Sequence, residues 1–180
     1  MSKAPIAVAL DAPDLATARE WAAAVAPYVQ VVKVGLEVFL RDGHDAVHVA
    51  REASGCDIFL DVKLHDIPAT VAGAAHAVAK LAPKYLTVHA SGGQDMIKAA
   101  VEAAGNTYIS TDAQGSAQKQ AADIEGLIAQ KPDVVLVVAF DSDAILPSIK
   151  ALSDAGIKSI AYDVQFEDPN ALYITFDNVG

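Results

Sequence analysis

Short apolar runs rich in valine, isoleucine and leucine alternate along this chain with longer alanine-rich stretches, in which apolar residues recur every three or four positions. The runs predict strands over residues 6–10, 29–34, 58–62, 85–89, 107–111, 134–140, 159–163 and 172–176. The stretches between them predict helices over 14–26, 37–53, 68–81, 94–104, 116–130 and 142–155. Asp14 is placed to cap the first helix, and Ser142 with Asp143 to open the sixth, because a side-chain oxygen there accepts from an amide that no helical carbonyl reaches. Gly105 and Gly156 are placed to end the fourth and sixth helices. Strict strand–helix alternation predicts an α/β domain whose parallel sheet is covered on both faces. Eight strands is the number that closes a filled barrel, so a barrel-like closed or nearly closed parallel sheet is expected, with an open doubly wound sheet as the alternative. The connection at 165–171 is too short for a crossover helix and is expected to return as a bare loop.

The polar residues follow the same frame. Asp11, Lys33, Asp61, Lys63 and His89 fall at the carboxyl ends of the first four expected strands. In a parallel α/β protein that edge carries the binding site, whether the sheet is closed or open. The densest segment is D-x-K-x-x-D from Asp61 through Lys63 to Asp66, directly behind the apolar run at 58–60. Charges at the end of a buried strand lose water and need partners. Residues two apart on a strand share a face, so Asp61 and Lys63 are expected side by side. A carboxylate that holds a lysine charged beside a substrate suits proton transfer to carbon.

Composition narrows the field. With 180 residues, 53 % hydrophobic and 20 % charged, the chain reads as globular, with room for a sizeable core in one domain. A formal net charge of −10 disfavours generic binding to nucleic acid or anionic membrane. Cys56 is the single cysteine, which excludes an intramolecular disulfide and a cysteine metal cluster. His44 and His48 are one helical turn apart, but no third ligand of fitting spacing follows, so no metal is expected. Gly92 and Gly93 are expected to make a turn, with a weak anion site at the helix start as the other reading. No apolar stretch approaches membrane-spanning length and no signal-peptide core precedes the first strand, which points to a cytoplasmic protein.

Four segments then carry a resemblance: IAVALD ending at Asp11, VVKVG around Lys33, FLDVKLHDIPATV over 59–71, and TVHASGG over 87–93. In this order and spacing, over about the first 105 residues, they resemble orotidine 5′-phosphate decarboxylase. The resemblance implies a (β/α)8 barrel, normally a homodimer, that converts orotidine monophosphate to UMP and CO2 without metal or cofactor. It implies that Lys33, Asp61 and Lys63 form a charged array in which Lys63 protonates C6 and Asp61 sits near the departing carboxylate. It further implies that Asp66 and Thr70 reach into the site of a second subunit, and that Asp11 contacts the ribose.

Beyond residue 105 the expectation changes. Residues 52–180 contain no arginine, and the ends of the last two expected strands are acidic, at Asp163, Glu167, Asp168 and Asp177. A barrel commonly holds phosphate there, and an acidic edge repels a phosphate dianion. The segments ISTDAQGSAQKQ over 109–120, IEGLIAQKPDV over 124–134, DSDA over 141–144 and AGI over 155–157 are similar to type I periplasmic sugar-binding proteins, up to the turn at Asp177 and Asn178. That family commonly grips its sugar with a strand-end Asp-Arg pair, whereas here Val164 follows Asp163. Asp112, Gln114 and Asp141 are therefore expected as caps and loop polars. Together the halves suggest a recombined chimera that keeps the decarboxylase's charged array without its phosphate grip, with little or no activity. A residual decarboxylase and a small sugar-binding module are the alternatives.

Overall fold

The computed structural model describes residues 2–164, 166, 168, 169 and 171–174. They fall into two compact units, Met1–Tyr108 and Ile109–Gly180. In the first, strands β1 (Ala4–Ala9), β2 (Val29–Gly35), β3 (Asp57–Leu64) and β4 (Tyr85–Val88) alternate with helices α1 (Leu15–Val25), α2 (Leu36–Asp42), α3 (His44–Ser54), α4 (Pro68–Ala79) and α5 (Gly93–Ala103). A single 3-10 turn, Ala90–Gly92, precedes α5. The four strands pair in sequential order, all parallel. Sequential order follows from right-handed crossovers that each advance the chain by one strand.

Local chemistry explains most element ends. Asp14 caps α1, its carboxylate accepting from the Thr17 amide at 2.8 Å. Pro68 opens α4, where its missing N–H costs nothing. The single helix expected over 37–53 is two helices, because Gly43 at φ +59° leaves the helical region between them. The core lies between the sheet and its helices. Val32, Val34, Ile58 and Leu60 are buried there against Val38 and Val47.

The second unit holds α6 (Ala117–Gln130), β5 (Val134–Val137), α7 (Leu146–Asp154), β6 (Lys158–Tyr162) and β7 (Ala171–Ile174). Its strands are also parallel and sequential, in the order β5-β6-β7. Ser116 caps α6 by accepting from the Lys119 amide at 3.2 Å. Ile149 and Leu152 of α7 pack on Val135 and Val137.

The parallel α/β fold is present, with further differences from the expected elements. Residues 107–111 form no strand, so seven strands rather than eight are found among the described residues. Helix α7 opens at Leu146, not at Ser142, because the Asp141 carboxylate accepts from the amides of Asp143 and Ala144 and holds them in a turn. The last strand is described over Ala171–Ile174, while Phe176, Asp177 and Asn178 lie outside the described residues. Burial also alternates along the strands. In β5, Val135 and Val137 are buried while Val134 and Leu136 are exposed, because the unit's helices cover one face of its sheet. The connection from β6 to β7 carries no helix among its described residues, as its length required. None of the helices described is long and apolar enough to cross a membrane.

Candidate active site

The strand period selects which side chains meet. On β3, Ile58, Leu60 and Val62 face the helices, so Phe59 and Asp61 fall on the opposite face, as does Lys33 of β2. The β2–β3 register sets Gly35 opposite Asp61 and Lys33 opposite Phe59. Asp61 is one of few buried ionisable residues described, and its two oxygens are divided between two lysines. Lys63 Nζ lies 2.8 Å from Oδ1, and Lys33 Nζ lies 3.2 Å from Oδ2. The Thr87 hydroxyl of β4 donates to Oδ1 at 3.1 Å. Asp11, well exposed, stands 3.9 Å from Lys33 Nζ.

Two backbone features build this cluster. Gly35 leaves room for it, since a Cβ there would come within 3.0 Å of Asp11 Oδ1 and 3.4 Å of Lys33 Nζ. Lys63 sits at φ +49°, in the left-handed region that costs a non-glycine residue about 1 kcal/mol. The pairing of β3 with β4 shifts register between Leu60 and Leu64, so Lys63 is on a bulge and not on a regular strand. Its ammonium nonetheless folds back to Asp61, half-exposed to solvent.

Burial alone would push the Asp61 carboxyl upward. The hydrogen bonds from Lys63, Lys33 and Thr87, with the Lys33 charge, outweigh it and hold the group below the ordinary carboxylate range. A carboxylate depressed on folding stabilises the native state above its unfolded value, and that contribution disappears as pH falls through the folded value. The stability difference between the native chain and Asp61→Asn is therefore expected to be constant from neutral pH down to about pH 5 and to shrink below about pH 4. Denaturant unfolding at stepped pH reads this, and a difference that grows on acidification would contradict it.

The structure thus brings Lys33, Asp61 and Lys63 together, with Asp11 at their edge. Asp66 and Thr70 lie apart from them, exposed at the start of α4. The Asp66 carboxylate accepts from the Ile67 amide at 2.7 Å, and no ion pair or hydrogen bond joins either residue to the cluster among the described residues. His89 stacks its ring on His65 at 4.7 Å, and its Nδ1 accepts from the Ser91 amide at 3.3 Å. Gly92 and Gly93 serve the turn into α5. Among the described residues, no group of three or more His, Cys, Asp or Glu side chains is placed to hold a metal ion. Asp112 and Asp141 accept from nearby amides as loop polars. Thr87 is the site residue that sequence reasoning passed over. A threonine in a strand carries no local signal, and its role arises only from cross-strand register.

The sequence model of the orotidine 5′-phosphate decarboxylase / HUMPS family matches residues 4–171. The match runs through both units, past residue 105 where the motif resemblance stopped. Among curated relatives, the orotidine 5′-phosphate decarboxylase of Thermobifida fusca is 66 % identical over 106 residues, 59 % of this chain and 46 % of that one. That of Frankia casuarinae is 52 % identical over 119 residues, covering 57 % and 43 %. The match thus spans less than half the length of these relatives. Solved structures share the fold. Orotidine 5′-monophosphate decarboxylase from Methanocaldococcus jannaschii superposes with a TM-score of 0.55 at 19 % identity, covering 97 % of this chain and 90 % of that one. The Pyrococcus horikoshii enzyme gives 0.53 at 23 %, covering 94 % and 88 %. Its matched span and the fold it shares make this chain a member of the orotidine 5′-phosphate decarboxylase / HUMPS family.

Proposed function

We propose that the chain decarboxylates orotidine 5′-phosphate to UMP and CO2 at low turnover, with Lys63 as the proton donor. The observation that carries this reading is one buried carboxylate, Asp61, shared by two lysine ammonium groups at 2.8 and 3.2 Å. Breaking the bond between C6 and the carboxylate leaves an electron pair on C6 as CO2 departs. A fixed cation beside that carbon stabilises the pair, and a proton from Lys63 Nζ quenches it. Half-exposed, Lys63 then regains a proton from water. Asp61 keeps both lysines charged, and Lys33 holds the Asp61 oxygen that Lys63 does not use. Asp11 contacts the ribose, and Asp66 and Thr70 serve the site of a second subunit in a homodimer. The chemistry draws on no metal or cofactor.

Low turnover follows from the phosphate. Binding energy from a remote phosphate normally contributes to the chemical step, so a weak grip lowers kcat as well as affinity. No arginine occurs over residues 52–180. Loss of orotidine 5′-phosphate absorbance, with UMP identified as product, tests the reading. Turnover that is unchanged in Lys63→Ala, or undetectable in the native chain, would sink it.

A second reading is favoured by the border between units at Tyr108 and Ile109, close to residue 105 where the motif resemblance ends. In it the chain is a recombined chimera whose second unit derives from a sugar-binding parent, and no phosphate grip survives. Orotidine and orotidine 5′-phosphate would then be handled alike. A KM at least tenfold lower for the phosphorylated substrate would rule this reading out.

A further inference from the structure

Thr87 lies on β4, one strand away from the pair whose geometry it sets. Between the paired positions Leu60 with Leu86 and Leu64 with Val88, β3 carries Asp61, Val62 and Lys63 while β4 carries Thr87 alone. The excess length bulges out at Lys63, whose backbone takes φ +49°. A bulged amide leaves the ladder and needs another acceptor. The Lys63 amide finds the Thr87 hydroxyl oxygen at 2.9 Å, and the same hydroxyl reaches Asp61 Oδ1 at 3.1 Å. An amide N–H only donates and an ionised carboxylate only accepts, so the direction of the hydroxyl proton is fixed.

We propose that Thr87 is a positioning residue for proton delivery: one hydroxyl ties the Asp61 carboxylate to the Lys63 backbone, so that Lys63 Nζ is held at a defined point beside the substrate carbon. Without the tie, a lysine on a flexible four-carbon stem samples many positions, and the chemical step is sensitive to displacements on the order of 1 Å. The other groups facing the carboxylate are Lys63 Nζ at Oδ1 and Lys33 Nζ from β2 at Oδ2, with Asp11 behind Lys33. Each lysine takes one oxygen, and the Thr87 proton keeps the carboxylate plane in the orientation that allows this division. A valine would fill the same space while leaving the Lys63 amide without an acceptor and Oδ1 with one donor fewer. The consequence for turnover rests on the decarboxylase reading; the geometric role does not.

Thr87→Val and Thr87→Ser test it in the full chain, with Thr87→Ala used where valine prevents folding. The readouts are carbon-13 titration of the Asp61 carboxyl, hydrogen exchange at the Lys63 amide, and kcat and KM for orotidine 5′-phosphate. In Thr87→Val the Asp61 midpoint is expected to move up and Lys63 amide exchange to quicken. The kcat is expected to fall about tenfold with KM within about twofold, the loss of one charge-assisted hydrogen bond. Serine restores all of these, since it keeps the hydroxyl. Native values of the Asp61 midpoint and Lys63 exchange in Thr87→Val would overturn the proposal, as would failure of serine to restore them. A native chain without turnover would remove the proposed activity, while the titration and exchange measurements would still decide the role of Thr87.

Discussion

Replacing Lys63 by alanine is expected to lower decarboxylation of orotidine 5′-phosphate by about 10²–10⁴-fold, the range a positioned general acid contributes. The change removes the one ammonium that combines contact with Asp61 and access to solvent. Lys33 is mostly buried and already committed to Asp61 Oδ2, so it cannot substitute without breaking its own pair. The effect should fall on kcat, because the lysine interacts most strongly with charge that develops only in the transition state. Arginine is not expected to rescue. Its guanidinium releases no proton at neutral pH, and its planar fork does not fit a site shaped for a compact ammonium. The fold should survive, since Asp61 keeps Lys33 and Thr87 as partners and the lysine side chain is not packed in the core. Absorbance-based kinetics with circular dichroism on the same samples checks both halves of this expectation. A loss of less than tenfold would show that another group supplies the proton.

Leu60→Ala is expected to destabilise the first unit by about 2–5 kcal/mol, the range for deleting a fully buried leucine side chain. Leu60 is fully buried, on the strand that pairs with both β2 and β4, and it belongs to the cluster of Val32, Val34 and Ile58. The cost has two sources, the lost transfer free energy and a cavity that neighbouring β-branched residues are too stiff to fill. Against a typical total of roughly 5–15 kcal/mol, this is a large fraction. Trp21, the single tryptophan, is on α1 and therefore reports on the first unit alone. Urea unfolding followed by its fluorescence should show a lower midpoint with little change in slope. Leu40→Ala, at an exposed position of α2 in the same unit, serves as the control, with an expected change within about 0.5 kcal/mol. A Leu60→Ala cost under about 1 kcal/mol would mean that the core beneath Asp61 collapses freely.

The charged array was legible because its chemistry is unusual for its place. Asp61, Lys63 and Lys33 are costly residues at strand ends, and a period of two carries Asp61 away from the core formed by Ile58 and Leu60. Asp14 was equally legible as a cap, because the capping bond spans only three residues. Long-range structure governs where the expectations failed. Residues 107–111 have strand-like composition, but composition alone does not make a strand, and none is found over them among the described residues. The long helix over 37–53 has a continuous pattern, yet one glycine at positive φ divides it.

The sequence by itself determined the α/β alternation, the parallel sheets and which charged residues fall at the strand ends, because each follows from the spacing of residues along the chain. The tertiary structure decided which oxygen of Asp61 each lysine takes, that Lys63 stands on a bulge, and that Thr87 joins the cluster. Those outcomes depend on the register between β3 and its neighbours, and register is set by hydrogen-bonded partners more than twenty residues away in the chain.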